Sequence, residues 1–150
     1  MRRSISIPAL VAAAALLLAG CGDSGSGARL DNAEFVSRAD DVCAEASTDL
    51  EELVEEHLDE NVTPSGVQRW AEASVSRLNR LIADLERLRP PAEKEADYRR
   101  YLEGFERLRD AIQRASTSET AAERLFTEED PFPDADELTQ KLGLDECAAA

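Results

Sequence analysis

The sequence predicts an all-α protein, an up-and-down bundle of three long helices followed by one or two short C-terminal helices. Three long stretches place apolar residues at intervals of three and four, the spacing of an amphipathic helix. No segment alternates convincingly between apolar and polar residues, and β-branched residues are sparse. Because the links between the long stretches are short, neighbouring helices are expected to run antiparallel.

The first helix is predicted to begin at Asn32, as its N-cap, and to run to about Glu60. Acidic residues alternate with the apolar face along its whole length. The predicted apolar positions are Phe35, Ala39, Val42, Cys43, Ala46, Leu50, Leu53, Val54 and Leu58.

The second helix has clear signals at both ends. Thr63-Pro64 supplies a cap followed by proline at the first helical position, and Pro90-Pro91 stops the helix. Trp70 lies on its apolar stripe, which favours a core role over a ligand platform. The other predicted stripe positions are Val67, Ala71, Ser74, Val75, Leu78, Leu81, Ile82, Leu85 and Leu88.

A third helix is predicted after the two prolines, and Ser118 can cap a shorter fourth helix through Leu125 and Phe126. Tyr98 and Tyr101 flank Arg99 and Arg100, so they could form a recognition patch, although we expect one tyrosine to belong to the core. The predicted stripe of the third helix is Tyr98, Tyr101, Leu102, Phe105, Leu108, Ala111, Ile112 and Ala115.

The C-terminal part is predicted to hold a turn and a last short helix. Asp130-Pro131-Phe132-Pro133 reads as a turn with an apolar plug, and Asp134 and Glu137 have the spacing of a capping box. Gly143 can end the helix in the left-handed conformation, after which Leu144 is expected to pack back onto the bundle.

The N-terminal segment is typical of a targeting signal. Met1-Arg2-Arg3 is followed by an apolar run at residues 5–19 that is too short for a transmembrane helix and carries Pro8. The run ends in Leu18-Ala19-Gly20-Cys21, which resembles the lipobox of bacterial lipoproteins. The resemblance implies that Cys21 is lipidated and becomes the first residue after cleavage of a signal at residues 1–20.

The same resemblance implies the domain organisation and the location. Residues 21–30 would form a lipidated flexible tether rich in glycine and serine, and residues 31–150 an acidic helical-bundle domain. Two acyl chains on Cys21 suffice for stable anchoring to the extracytoplasmic side of the cell membrane.

Once Cys21 is assigned to lipid, Cys43 and Cys147 remain as an even number of cysteines in an oxidising compartment. The simplest interpretation is one disulfide that ties the C-terminal tail to the first helix, and two independent buried thiols are the alternative. A redox role would favour a close Cys-x-x-Cys pair, and the sequence has none.

The chain has a formal net charge of -15, which argues against nucleic-acid binding. Residues 31–60 contain twelve acidic residues and one basic residue, Arg38. The second helix carries an arginine stripe, so one interpretation is a solvated acidic face that this stripe partly relieves. The other is a docking surface for a cationic partner or ligand. The acidic ridge is Asp41, Glu45, Asp49, Glu52, Glu56 and Glu60, and the arginine stripe is Arg69, Arg77, Arg80 and Arg87.

No set of residues predicts a catalytic, metal or cofactor site. His57 is the only histidine, and Val54 stands where a carboxylate bundle has its glutamate, so a surface histidine is expected. The acidic segments 128–130 and 134–137 lack the spacing and the central glycine of a calcium loop. The sequence also has no nucleophile elbow.

The whole chain is similar to small, uncharacterised cell-surface lipoproteins of high-GC Gram-positive bacteria. Besides the lipobox, the resemblance depends on Val42-Cys43-Ala44, on the link at residues 85–93 and on the ending Leu142-Gly143-Leu144-x-x-Cys147. It carries no activity with it. We therefore expect a non-catalytic, membrane-anchored module that binds a protein partner of the cell envelope. The alternative is a binder of a small ligand or a cation, using the bundle interior or the acidic face.

Overall fold

The computed structural model describes residues 28–58, 63–127 and 130–148, and it confirms the predicted all-α bundle. Three long helices come first, α1 (Asn32–His57), α2 (Pro64–Glu86) and α3 (Glu95–Thr117). Two short helices follow, α4 (Glu119–Thr127) and α5 (Ala135–Leu142). Single 3-10 turns at Ala92–Lys94 and Glu146–Ala148 complete the described secondary structure, in which no strand occurs.

The helix termini largely follow local sequence signals. The side chain of Thr63 accepts a hydrogen bond from the Gly66 backbone, and that of Ser118 accepts one from Ala121. Gly143 ends α5 with φ at 72°, the left-handed conformation that favours glycine. These three predictions are therefore confirmed.

One predicted cap is wrong, and a second occupies its predicted position without the capping hydrogen bond. Asp31, and not Asn32, caps α1, because its Oδ1 accepts a hydrogen bond from the Glu34 backbone at 2.9 Å. Asp134 stands at the N-cap of α5 but its side chain makes no capping hydrogen bond. Its carboxylate accepts instead from the Arg100 guanidinium of α3 at 3.1 Å. A charged partner on a neighbouring helix has replaced the local bond that the spacing predicted.

The core lies between α1, α2 and α3, with α4 and α5 against α3. α1 and α2 are antiparallel. The Leu30 backbone, just before α1, donates a hydrogen bond to the Arg89 carbonyl, just after α2, and Asp49 forms an ion pair with Arg77 further along both helices. The Tyr98 hydroxyl of α3 donates to the Leu85 carbonyl of α2 at 2.7 Å. This contact places the start of α3 beside the end of α2.

The predicted apolar plug is confirmed at Phe132, which is buried against α3. Its ring lies 5.5 Å from those of Tyr101 and Phe105, centroid to centroid. The ring also covers Gly104 so closely that a Cβ atom on this glycine would lie 2.1 Å from it. Gly104 is thus the position where α3 admits the plug.

Candidate functional site

The C-terminal turn is fastened to the first half of α1. Cys43 and Cys147 form a disulfide with a Cα–Cα distance of 5.0 Å, which confirms the predicted pairing. One turn before Cys43, the Asp40 carboxylate accepts a hydrogen bond from the Glu146 backbone at 3.1 Å. Leu144 is buried, as predicted. One side of α1 is therefore covered up to about Cys43.

The N-terminal end of the described chain is held against the α2–α3 link. Arg29 donates to the Pro90 carbonyl at 3.2 Å and to the Glu95 carboxylate at 2.6 Å, and Leu30 donates to the Arg89 carbonyl at 2.8 Å. The hydrogen bond from Arg29 lowers the pKa of Glu95. Arg29 and Leu30, which the sequence analysis places in the tether, thus contact the bundle. The signal sequence and Cys21 lie outside the described residues.

Among the described members of the acidic ridge, Asp49 alone forms ion pairs with the arginine stripe of α2. Asp49 lies 3.4 Å from both Arg77 and Arg80. A second ridge member, Glu56, has its carboxylate 4.0 Å from the His57 imidazole. The ridge members without an ion pair in the described part of the chain are Asp41, Glu45 and Glu52.

The second half of α1 also exposes apolar surface. Val54 is 43% exposed, and Leu50 and Leu58 are half-buried, whereas Leu53 is buried. The prediction that Val54 faces the core is wrong. Neighbouring residues on a helix point about 100° apart, so Leu53 and Val54 cannot both face α2, the helix that α1 packs against here.

Two surface concavities accompany these helices. A groove of about 30 Å³ between α1 and α2 contains the Asp49 ion pairs and has room for about one or two water molecules. An open groove of about 450 Å³ lies between the end of α3, α4 and the Pro131 turn. Its lining residues are Ala111, Arg114, Ala121, Arg124, Leu125, Asp130 and Pro131.

The residues considered for metal binding have other contacts. His57 is half-buried and near Glu56, and no group of His, Cys, Asp or Glu in the described ranges could hold a metal ion. Asp130 accepts a hydrogen bond from the Phe132 backbone at 2.7 Å. Glu137 pairs with Lys141 at 2.5 Å, and this bond lowers the pKa of the carboxyl group. Glu128 and Glu129 lie outside the described residues.

The predicted tyrosine patch is wrong, because both tyrosines are buried rather than one. Burial raises the pKa of the Tyr98 and Tyr101 hydroxyls far above its usual value of 10.0. Arg99 and Arg100 remain on the surface beside them. Trp70 is half-buried and packs against the core, as the apolar stripe of α2 predicts.

No protein family, curated protein or solved structure matches this chain. Among the described helices, none has the length and apolar content needed to cross a membrane. The candidate site in the described ranges is the second half of α1, where unpaired carboxylates border the exposed Val54 and the half-buried Leu50 and Leu58. Sequence periodicity located the acidic ridge, but it did not separate the paired carboxylates from the unpaired ones.

Proposed function

We propose that this protein is a lipoprotein anchored to the extracytoplasmic side of the cell membrane and acts there as a non-catalytic binding module of the cell envelope. The observation that carries the proposal is the use of the cysteines. The disulfide takes Cys43 and Cys147, which leaves Cys21 as the only cysteine outside it. Disulfides persist in oxidising compartments, so the pair supports export of the chain.

The position of the N-terminal end supports anchoring of this kind. Arg29 and Leu30 contact the bundle beside the α2–α3 link. Seven residues, Gly22 to Ala28, separate Cys21 from Arg29. A stretch of seven residues spans at most about 25 Å. An anchor at Cys21 would therefore keep the α2–α3 link near the bilayer.

Two surface carboxyl groups have a pKa shifted in the direction opposite to that of a general acid. A carboxylic acid that donates a proton near neutral pH needs a raised pKa, which burial in an apolar pocket provides. Glu95 and Glu137 shift in the opposite direction, beside Arg29 and Lys141. Both carboxyl groups are therefore charged near neutral pH.

The intact mass of the full chain from a native-like bacterial host tests the proposal. We expect membrane-fraction protein with the mass of residues 21–150 plus acyl chains and with cysteines that alkylate only after reduction. The matched control is Cys21→Ser, which should leave the membrane fraction while keeping the disulfide. A wild-type mass without lipid, or free thiols at Cys43 and Cys147, would refute the proposal.

Cation binding by the acidic face is the second candidate function. The observation in its favour is the set of carboxylates without ion pairs, among them Glu45 and Glu52. Glu45 and Glu52 are seven residues apart, about two helical turns or roughly 10.5 Å along the axis, so their carboxylates do not converge on one ion as a calcium site requires. Calorimetric titration with Ca²⁺ checks this, and a dissociation constant below about 1 mM that is lost in Glu45→Gln/Glu52→Gln would favour the cation binder.

A further inference from the structure

We propose that one side of the second half of α1 is the docking surface for a positively charged amphipathic helix of another cell-envelope protein. We call this surface the α1 docking face and define it by Leu50, Glu51, Val54 and Glu55 of α1 together with Leu58, the residue that caps the C-terminus of α1. The inference deepens the proposed function and rests on it, because it specifies the binding surface and the chemistry of the partner.

The α1 docking face continues a side of the helix that is covered further upstream. Leu50 and Val54 follow Cys43 by seven and eleven residues, so each points within about 20° of the direction in which Cys43 points. Leu58 follows Asp40 by eighteen residues, which is five full turns. The C-terminal turn covers this side of α1 at Asp40 and Cys43 through the hydrogen bond and the disulfide.

The apolar part of the face has the spacing of a helix-packing ridge. Leu50, Val54 and Leu58 are four residues apart, and such rows interdigitate with the rows of a second helix. Val54 is 43% exposed, the largest exposure of any large apolar side chain among the described residues. Helix-in-groove recognition uses apolar anchors at this spacing. An amphipathic helix therefore fits the face better than an extended peptide.

The charges that border the apolar part of the α1 docking face determine the sign of the charge that a partner must carry. Glu51 and Glu55 are exposed and have no ion pair with any residue the structure describes, and the same holds for Glu52. Glu51 and Glu55 are four residues apart, so their mutual repulsion destabilises α1 by a few tenths of a kcal/mol.

Some carboxylates elsewhere on the bundle have partners, as Glu34 has Arg38 and Glu137 has Lys141. Others, such as Glu119 and Glu123, have no ion pair with any described residue. On the α1 docking face, unpaired acids adjoin Val54, the most exposed large apolar side chain among the described residues. Lysine or arginine residues on a docked helix would neutralise Glu51 and Glu55 while its apolar side packs on Val54. Charge complementarity of this kind sets both the rate of encounter and the choice of partner.

Photo-crosslinking of the full chain in intact cells of a native-like host tests the inference. The probe is Val54→p-benzoylphenylalanine, and the matched control is Thr120→p-benzoylphenylalanine, at an exposed position of α4. We expect an adduct from position 54 in which the crosslinked peptide of the partner is rich in lysine or arginine and has helical apolar spacing. We expect no such adduct from position 120.

Charge reversal near the probe separates docking from chance proximity. Glu51→Lys/Glu55→Lys should reduce the adduct yield about tenfold, because two attractive pairs become repulsive. The matched control Glu119→Lys/Glu123→Lys reverses two exposed acids with the same spacing on α4 and should leave the yield unchanged. Circular dichroism and the intact disulfide establish that each variant is folded.

Several results would overturn the inference: an adduct to lipid, to a second copy of this chain or to an acidic segment, a yield that charge reversal does not change, or no adduct at position 54. Its failure is distinguishable from failure of the proposed function by the intact mass from the same cells. A lipid-bearing chain that crosslinks to a protein from position 120 alone would leave the anchored binding module in place and remove only the α1 docking face. A chain without lipid would remove both.

Discussion

Replacing Cys43 and Cys147 by alanine removes the covalent link between α1 and the C-terminal turn, and we expect a large loss of stability. The two cysteines are 104 residues apart. On the chain-entropy treatment, closing a loop of about 100 residues in the unfolded state is worth about 4.7 kcal/mol at 25 °C. Domains of this size unfold with about 5–15 kcal/mol in total, so the variant should be marginally stable.

Urea unfolding followed by tryptophan fluorescence measures this loss, because Trp70 is the only tryptophan and packs against the core. The background is Cys21→Ser, which lacks the third thiol. The disulfide-bonded protein, the same protein after reduction and the Cys43→Ala/Cys147→Ala variant are then compared. Reduction and substitution should lower the free energy of unfolding by similar amounts, about 4–5 kcal/mol. The denaturant slope should rise, since the unfolded chain without the link is less compact.

The outcome that would refute this reasoning is a difference below about 1.5 kcal/mol between the bonded and reduced proteins, with equal denaturant slopes. Such a result would mean that the unfolded chain stays compact without the link, contrary to the loop-closure argument. A further control is Cys147→Ala alone, which breaks the same link. It should match the double variant to within about 1 kcal/mol, because both lose the same loop constraint.

Three further predictions concern the core. Tyr98→Phe should lower the free energy of unfolding by roughly 1–2 kcal/mol, because the Tyr98 hydroxyl donates a hydrogen bond to the Leu85 carbonyl. Tyr101→Phe should be neutral or stabilising, since the buried Tyr101 hydroxyl has no hydrogen-bond partner in the described structure. Urea unfolding of both variants checks these expectations. Gly104→Ala should lower the free energy of unfolding by about 1–3 kcal/mol, because its methyl group displaces the Phe132 ring. In a double-mutant cycle, Phe132→Leu should recover part of this loss. Additive effects of the two substitutions would contradict the contact. Neither tyrosine should ionise in the folded state near pH 10, so above that pH the unfolded chain binds fewer protons than the folded one and stability falls as pH rises. Absorbance at 295 nm should therefore show tyrosinate only together with unfolding. Ionisation of either tyrosine near pH 10 in the folded protein would contradict the burial argument.

Sequence signals were reliable where the physics is local. Thr63-Pro64 and Gly143 mark helix termini through backbone geometry and bonds within four residues, and both act as predicted. The Asp134 cap failed because Arg100, distant in sequence, offered the carboxylate a charged partner. A cap predicted from neighbouring residues cannot take account of a competing partner that is distant in sequence.

The candidate site was predictable only in part. The charge pattern of residues 31–60 indicated an acidic face on the first helix, and that face is present in the structure. Which of its members are paired depended on the approach of α2, since Arg77 and Arg80 both lie near Asp49. Val54 was assigned to the core because its spacing fits the stripe, yet α1 packs against a single long helix in its second half.

Local sequence signals were enough to predict the helices, the links between them and, as the simpler of two interpretations, a disulfide between Cys43 and Cys147. Caps, prolines and apolar periodicity act over one or two turns, so they can be read without knowing the neighbours of a residue. Three features emerge from the packing of the helices and not from local signals: both tyrosines are buried, Phe132 packs on Gly104, and Glu51, Val54 and Glu55 are exposed. These features depend on which helices meet and where one stops covering another, and such contacts join residues far apart in the chain.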